Sequence, residues 1–435
     1  QTLQHLCLDF LAENLKQQND SLEEAIQDLP GHLCEALLER CRHKASGRSI
    51  LALLTPGVCS VELSWCQNIG PDIVHNLGER CPSLHTLKLA GCAGVNDAWT
   101  HSLSSLPNLT NLDISNNAGL TTIGVATVVT VCTSLQRLNL SGIDDVEDVH
   151  VCAAITNMPN LSTLVLKGCR SISDHAFLGI PDSPNLSAVL LKGCSQLSGT
   201  VLAPILSHAT NLTSLHLTGV RATPHRIRQL QDLTRLESIK LGECDLSNGA
   251  LSSLRSLSRL RRLDVSWCED VCDVDVVAVA STCPLQTLRA RMCVSLTDVS
   301  LDVLGPSLTK LDMSGCELLT NDGLTSLAKN CPHLVHCNLS WCSLLSSPAI
   351  IGAIRAWTEL VYLNLEGCKQ VLDDVLEAVR VERPGLQTLR LTWCNHASDS
   401  AIAKLAHTCP GIEVVDYYGN SHYGRDRAGD EDDMF

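Results

Sequence analysis

Apolar and polar positions follow one pattern that returns fifteen times along the chain, at a step of 23 to 26 residues. The pattern is Leu-x-x-Leu-x-Leu-x-x-Cys, and a fixed period of this size is typical of a solenoid. It predicts a single repeat domain over residues 57–420, although 435 residues would otherwise suggest two or three domains. The last positions of the fifteen copies are 66, 92, 117, 143, 169, 194, 220, 244, 268, 293, 316, 342, 368, 394 and 420.

Each repeat divides into two halves with different apolar periods. In the first half the apolar positions alternate, as in a short β-strand. In the second half they recur at helical spacing, as Leu324, Leu327, Ala328 and Cys331 do. An Asp such as Asp298 often precedes this half and is expected to cap the helix. These signals predict an α/β fold, a horseshoe with parallel strands on the concave face and helices on the convex face.

Composition narrows the range of functions. The net charge is −15, which disfavours general nucleic-acid binding, because such binding requires Lys and Arg to neutralise phosphates. The sequence has no stretch of about 18 apolar residues that would cross a membrane. It has no basic region followed by an apolar core at its start, so we expect no signal peptide. The chain starts with Gln1 rather than Met, and we treat it as a candidate fragment.

Cysteine use indicates the redox environment. The chain has 23 cysteines, and 11 of the 15 repeat-end positions are Cys. A side chain at this position is expected to point into the coil, where Cys or Asn can bond the backbone of the turn. We therefore predict a column of reduced thiols rather than disulfides, in a cytoplasmic or nuclear protein. The other four repeat-end residues are Asn117, Ile143, Val220 and Asn420.

Signatures of catalysis are missing from the sequence. It contains no P-loop, no His-Glu-x-x-His and no Gly-x-Ser-x-Gly motif. The 16 His are scattered, and the Cys spacing is that of the repeat rather than that of a zinc site. We expect a protein that is not an enzyme and that uses no metal or other cofactor.

Short sequence motifs at the predicted strand ends resemble those of a known repeat family. They are Leu63-Ser-Trp-Cys66, Met313-Ser-Gly-Cys316 and Leu339-Ser-Trp-Cys342. With them, residues 57–420 resemble the cysteine-containing subfamily of leucine-rich repeats, which is known best from F-box receptors of ubiquitin ligases. The resemblance implies a leucine-rich repeat solenoid of about 15 repeats. It implies little about function by itself, since one fold hosts many functions.

Residues 1–56 do not follow the repeat and are predicted to form a helical N-terminal segment. The stretch from Thr2 to Leu11, Thr-Leu-Gln-His-Leu-Cys-Leu-Asp-Phe-Leu, resembles the BC-box with which substrate receptors bind elongin C. Leu3, Cys7 and Leu11 stand one helical turn apart, and the resemblance implies that they enter an apolar groove. The implied partners are elongin C and elongin B.

A second short motif follows. The stretch Leu29-Pro30-Gly-His-Leu33-Cys-Glu-Ala-Leu37 is similar to the cullin-2 box, which lies after a BC-box and selects the cullin. The resemblance implies that these four named residues contact a cullin. The BC-box pattern alone is a weak signal, because it also occurs inside the repeats at Ser326–Val335. The alternative is that the N-terminal helices only cap the first coil, as a solenoid end requires. Both hypotheses hold if one helix face packs on the coil while another stays available.

The N-terminal segment and the repeats can be compared with two other arrangements. An F-box does not fit, because too few residues separate Leu29 from the first repeat. The layout resembles the leucine-rich repeat subunit of the yeast nucleotide-excision-repair ubiquitin ligase as well, but no DNA-binding region favours repair. Residues 421–435 contain Asp430-Glu-Asp-Asp433 and are predicted to be an acidic, solvated tail.

Basic residues concentrate on the predicted concave face of repeats eight to eleven, where Asp264 and Asp312 offset them in part. One interpretation is ordinary solvated charge. The other is a site for an acidic or phosphorylated protein segment, because Arg pairs well with carboxylate and phosphate. Tyr362 and Trp393 are candidate aromatic anchors, whereas packing is expected for the other Trp residues that precede a repeat-end Cys. The candidate cations are Lys240, Arg261, Arg262, Arg289, Arg291 and Lys310.

Together these inferences predict the substrate-recognition subunit of a cullin-RING ubiquitin ligase. The N-terminal helix would bind elongin C, and the concave face would bind a protein substrate. The alternative is a leucine-rich repeat scaffold or regulator without a link to a ligase. A third candidate is an accessory protein of nucleotide-excision repair.

Overall fold

The computed structural model describes residues 3–16, 26, 29–42, 45–67, 69–177 and 183–423. Two compact units make up the chain, Gln1–Arg221 and Ala222–Phe435, and strands alternate with helices along each of them. Most strands bury their middle residue, such as Leu311, and leave the first and third residues half-buried or exposed on the side away from the helices. We call that side the open face; it is the face that the sequence predicts to be concave.

The strands of the N-terminal unit are parallel, and each pairs with the next in chain order. They are β1 Ser60–Glu62, β2 Thr86–Lys88, β3 Asn111–Asp113, β4 Arg137–Asn139, β5 Thr163–Val165, β6 Ala188–Leu190 and β7 Ser214–His216. Its α-helices are α1 Leu3–Lys16, α2 Gly31–Cys41, α3 Gly47–Leu53, α4 Pro71–His75, α5 Leu77–Arg80, α6 Asp97–Thr100, α7 Thr122–Val131, α8 Asp148–Asn157 and α9 Leu202–His208. Short 3-10 helices lie at His101–Ser105, Asp174–Phe177 and Gly199–Val201.

The strands of the C-terminal unit are β8 Ser238–Lys240, β9 Arg262–Asp264, β10 Thr287–Arg289, β11 Lys310–Asp312, β12 His336–Asn338, β13 Tyr362–Asn364, β14 Thr388–Arg390, β15 Glu413–Val415 and β16 Ser421–Tyr423. From β8 to β15 the pairing is parallel. Its α-helices are α10 Pro224–Arg228, α11 Asp273–Ala280, α12 Asp298–Asp302, α13 Asn321–Asn330, α14 Ser347–Ala356, α15 Asp373–Glu382 and α16 Asp399–Thr408, and 3-10 helices lie at Gln229–Asp232 and Leu251–Ser256.

The helix caps differ from the sequence prediction. Thr297, rather than Asp298, is the N-cap of α12, and its side chain accepts a hydrogen bond from the Val299 N–H. Asp298 instead accepts hydrogen bonds from the backbone N–H and hydroxyl of Thr320, the N-cap of the next repeat, at 2.8 and 2.5 Å. The Asp therefore links adjacent repeats rather than capping its own helix.

The helices before the repeats close the first strand edge. The Glu35 carboxylate in α2 accepts hydrogen bonds from the N–H groups of Cys59 and Ser60, at 2.6 and 2.9 Å. An open strand edge would leave such groups available to another chain. Leu15 of α1 and Leu53 of α3 are fully buried. The predicted helical N-terminal cap is therefore present.

The last strand reverses the pattern. β16 pairs antiparallel with β15, with Glu413 opposite Tyr423 and Val415 opposite Ser421. Residues 421–423, which the sequence analysis places in the tail, thus belong to the sheet. The predicted acidic run at 430–433 lies outside the described residues.

Candidate functional site

Helix α1 is apolar on two sides. Leu8, Ala12 and Leu15 are buried, at 6%, 3% and 0% exposure. On another side Phe10 is 68% exposed and Cys7 is exposed too. Packing within the fold accounts for the first side only, and Phe10 and Cys7 on the other side remain in contact with water.

We call Cys7, Phe10 and Leu11 the exposed apolar strip of α1. Leu11 is half-buried, and the three residues share one helix face because they lie three and four positions apart. The side chain of Leu3, which the BC-box resemblance includes, lies outside the described side chains. The sequence places Phe10 on the same apolar helix stripe as Cys7 and Leu11 but does not name it as an elongin C contact.

The residues of the cullin-box-like stretch differ in how far they are exposed. Pro30 is exposed and is the N-cap of α2, so the helix begins at Gly31. Leu29 and Leu33 are half-buried. Leu37 is fully buried, because its side of α2 packs into the core. The burial of Leu37 removes it from any surface that a cullin could contact, which corrects its sequence-based assignment as a contact residue.

The repeat-end cysteines are interior groups, as predicted. The Cys316 thiol donates to the carbonyl oxygen of Ala290 at 3.2 Å, and the Cys368 thiol does the same to Leu339 at 3.2 Å. Burial raises the pKa of both thiols to about 12. They are therefore protonated hydrogen-bond donors at neutral pH rather than nucleophiles, and all 23 cysteines are free of disulfides.

A pocket of about 220 Å³ opens on the open face between β10 and β13. Parallel register places Thr287, Lys310, His336 and Tyr362 side by side on neighbouring strands, and neighbouring strands lie about 4.8 Å apart. Arg289 joins this lining from the other end of β10. We call this the open-face pocket.

Only two of the six cations predicted from the sequence line the open-face pocket. Arg289 and Lys310 line the open-face pocket, together with the predicted anchor Tyr362. The other predicted residues do not line it. They are Lys240 at the end of β8, Arg261 just before β9, Arg262 at the start of β9, Arg291 after β10, and Trp393 after β14.

The cations of this region differ in their pairing. Arg291 Nε lies 3.5 Å from Asp312 Oδ2. The other oxygen of Asp312 accepts hydrogen bonds from the backbone N–H and the hydroxyl of Ser314 at 3.2 and 2.8 Å. Within the described part of the chain, Arg289 and Lys310 form no ion pair within 4.0 Å. The open-face pocket therefore holds two cations that form no ion pair with a described residue, together with the carboxylate of Asp312, which also lines it.

Two rings complete the pocket. The ring centroids of His336 and Tyr362 are 6.0 Å apart, with their planes tilted by 44°. Burial, and secondarily the charge of Lys310, lowers the pKa of His336 below its ordinary value, so the imidazole is neutral at pH 7. Burial raises the pKa of Tyr362, so its hydroxyl keeps its proton. The pocket thus combines cationic groups with neutral polar rings.

Four tryptophans lie on the turns that leave the strands. Trp65, Trp267, Trp341 and Trp393 have φ between 62° and 64° and are 46–58% exposed. A Cβ on Gly367 would lie 2.6 Å from the Trp341 indole, so that ring lies against the glycine of the next repeat. Trp341 therefore packs on one side and stays open on the other.

Other site types find no support among the described residues. No group of three or more His, Cys, Asp or Glu side chains in these segments is arranged to hold a metal ion. No described helix is both long enough and apolar enough to cross a membrane.

Repeated strand, turn and helix, with the repeat-end Cys and Asn117 inside the coil, define an α/β leucine-rich repeat solenoid. Asn420, which the sequence also places inside, is exposed beside the reversed strand β16. The family model described as Leucine Rich repeat matches residues 306–328. In sequence the chain is similar to the F-box protein FBW2 of Arabidopsis thaliana, with 28% identity over 137 residues. That match covers 30% of this chain and 43% of the relative, so it spans less than half of the relative's length.

The structure is similar to a chain of the crystal structure of the Rad7 and Elc1 complex in yeast. The TM-score is 0.59 at 18% identity, and the match covers 97% of this chain and 98% of that one. At this level of identity the likeness concerns the fold. It extends through the N-terminal helices as well as the repeats, because nearly the whole of both chains is matched.

Proposed function

We propose that this chain is a substrate-recognition subunit of a cullin-RING ubiquitin ligase. The exposed apolar strip of α1 binds elongin C, with elongin B as its companion, and the open face binds a protein substrate. The chain itself is not an enzyme; it holds the substrate for ubiquitin transfer. Its 23 free thiols favour a reducing cytoplasmic or nuclear environment.

One observation carries the adaptor proposal: α1 exposes Phe10 and Cys7 although its opposite side is already buried. A helix that served only as a cap would need one apolar side. A second apolar side suits a helix that enters the groove of a partner. The strip coincides with the BC-box-like stretch that the sequence places before the repeats.

The comparisons support the same proposal. A relative in sequence is an F-box protein. A chain of similar fold was crystallised in a complex of Rad7 with a second protein, Elc1. Both agree with a repeat protein that works as one subunit of a larger assembly.

Co-expression with elongins B and C tests the adaptor proposal. The wild-type chain is expected to copurify with both, and Cys7→Ser combined with Leu11→Ser is expected to abolish copurification. Glu13→Ala, at an exposed polar position of the same helix, is the matched control and should copurify like the wild type. Far-ultraviolet circular dichroism should be the same for all three chains.

Two outcomes would count against the adaptor proposal. The first is a wild-type chain that never copurifies with elongins. The second is a double variant that copurifies as well as the wild type. Either would favour a repeat scaffold without a link to a ligase.

The cullin contact is tested separately, on the elongin-bound chain. Pro30 is exposed and Leu33 is half-buried, so both remain available to a partner. Pro30→Ala with Leu33→Ala is expected to lower cullin recovery while elongin recovery is unchanged. Unchanged cullin recovery would remove the cullin-box assignment and leave elongin binding in place.

A further inference from the structure

We propose that the open-face pocket binds a phosphorylated side chain of a protein segment and prefers it to a carboxylate. This inference rests on the proposed role of the open face in holding a protein substrate, and it specifies the chemical class of that substrate. The charge, the hydrogen-bond donors and the dimensions of the pocket support it.

The charge of the pocket favours an anion. Arg289 and Lys310 line it, and neither is in an ion pair with a described residue. Asp264 and Asp312 lie beside Arg289 in the strand register, and Asp312 also lines the pocket, but both carboxylates already bond other groups. Asp264 accepts from the N–H and hydroxyl of Ser266 at 3.1 and 2.7 Å, while Asp312 holds Ser314 and Arg291. The lining therefore has two cations against one carboxylate, and neither cation is in an ion pair with a described residue.

The neutral groups add hydrogen-bond donors. Asn338 Oδ1 accepts from the Ser340 N–H at 3.1 Å, which leaves the Asn338 amide Nδ2 as a donor. The Thr287 hydroxyl and the His336 ring line the same pocket. A phosphate monoester presents three acceptor oxygens and a charge near −2, whereas a carboxylate presents two oxygens and a charge of −1. Two cations and several neutral donors match the phosphate better, because the one lining carboxylate, Asp312, already bonds Arg291 and Ser314.

The dimensions suit one side chain. A volume of about 220 Å³ accommodates a phosphorylated side chain but not a folded domain. The tilted rings of His336 and Tyr362 lie along one side of it. The pocket is on a sheet face, so an extended protein segment can lie across the strands and place one residue in it.

Peptide binding tests the inference on the full chain. The probe is a mixed-sequence peptide library with a central phosphoserine, compared with libraries that carry Ser or Glu at that position. The wild-type chain is expected to bind the phosphoserine library about tenfold or more tightly than either of the others, because hydrogen bonds to charged groups are the strong ones. Affinity is measured by isothermal titration.

Variants localise the site. Arg289→Gln and Lys310→Gln are each expected to weaken phosphoserine binding about tenfold or more. Lys329→Gln is the matched control, because Lys329 is an exposed cation on α13 and lies outside the pocket. Lys310→Arg should retain most of the affinity. Thermal unfolding of each variant checks that the fold is intact.

Several results would overturn the inference. The first is that the Glu and phosphoserine libraries bind equally tightly. The second is that phosphoserine binding survives both Gln substitutions. The third is that inorganic phosphate binds as tightly as the phosphoserine library. Equally tight binding of an unphosphorylated peptide of residues 424–435 would overturn it in favour of the chain's own acidic tail. Elongin copurification is scored separately, so the pocket and the adaptor proposal can fail independently.

Discussion

Asn117 Oδ1 accepts a hydrogen bond of 2.7 Å from the backbone N–H of Cys92, one repeat earlier. The amide of the same side chain donates to the carbonyl oxygens of Leu89 and Ile114, at 2.9 and 2.8 Å. A Cys thiol at this repeat position has one proton to donate, as Cys92 does to Leu63 at 3.1 Å. Asn117 therefore satisfies three buried backbone groups with one side chain.

Loss of that side chain should destabilise the fold. We expect Asn117→Ala to lower the free energy of unfolding by about 3 kcal/mol or more, because three buried groups lose their partner. Asn117→Cys should lower the free energy of unfolding by less, since the thiol can still donate one hydrogen bond. Urea unfolding followed by circular dichroism measures both. Asn108→Ala is the control at an exposed site with one side-chain bond, of 3.2 Å; equal losses for the three variants would contradict the explanation.

Thiol reactivity should follow burial. Cys7 and Cys59 are exposed, and Cys152 and Cys272 are half-buried. We expect a maleimide to label the first two rapidly and the second two slowly in the native chain. The other 19 should react only after unfolding, because they are buried. Mass spectrometry after timed labelling checks this order, and rapid labelling of Cys316 or Cys368 would contradict an interior column.

The Trp341–Gly367 contact predicts a selective glycine requirement. Gly367 has φ +70°, and a Cβ there would lie 2.6 Å from the Trp341 ring. We expect Gly367→Ala to lower the free energy of unfolding by about 1 kcal/mol or more. Gly385→Ala is the control, because nothing lies within 4 Å of its Cβ position, and it should be close to neutral.

A second substitution separates the two causes. In a Trp341→Ala background the ring is gone, so only the backbone strain at Gly367 remains. The penalty of Gly367→Ala should therefore be smaller there than in the wild type, as measured by a double-mutant cycle. An unchanged penalty would mean that the ring contact contributes nothing.

The Asp416–His422 contact predicts an acid-dependent loss of stability. Burial by itself would raise the pKa of Asp416, but hydrogen bonds from His422, Asn420 and Tyr418 outweigh it and lower that pKa from 3.8 to about 2. His422 Nε2 lies 2.8 Å from Asp416 Oδ2. Because the folded pKa is the lower one, the carboxylate stabilises the fold above about pH 4, and this contribution is lost as the pH falls toward 2.

The corresponding test compares Tm between pH 2 and pH 6. Asp416→Asn should unfold at a lower temperature than the wild type near pH 6, and the two should converge near pH 2. Asp270→Asn, at an exposed loop position, should show no such convergence. A difference for Asp416→Asn that stays constant with pH would exclude the carboxylate as its source.

The sequence predicts the repeats well because they depend on the spacing of apolar residues that are close together in the chain. A Leu such as Leu311 lies inside the sheet because the strand period is two, and Cys316 lies inside the turn at the last position of the same repeat pattern. These positions follow from the chain alone. The strand and helix order, the interior thiols and the N-terminal helical cap are confirmed by the structure.

The site residues depend on contacts between repeats, which the sequence pattern does not specify. Arg289 and Arg291 are two residues apart, yet only Arg291 is paired with Asp312. Leu33 and Leu37 share one spacing pattern, yet only Leu37 is fully buried against neighbouring elements. Asp298 has the local signature of a cap but bonds to Thr320 in the next repeat.

The reversed direction of β16 determines where the row of repeats stops. A repeat of another molecule that continued the parallel pairing would have to add its strand alongside β15, and β16 already occupies that edge in the opposite sense. Ser421 and Tyr423 both bond Glu413, at 2.7 and 2.9 Å, which holds the closing strand in place. Parallel pairing in the C-terminal unit therefore ends at β15, and a strand added beyond it would have to pair with β16 instead.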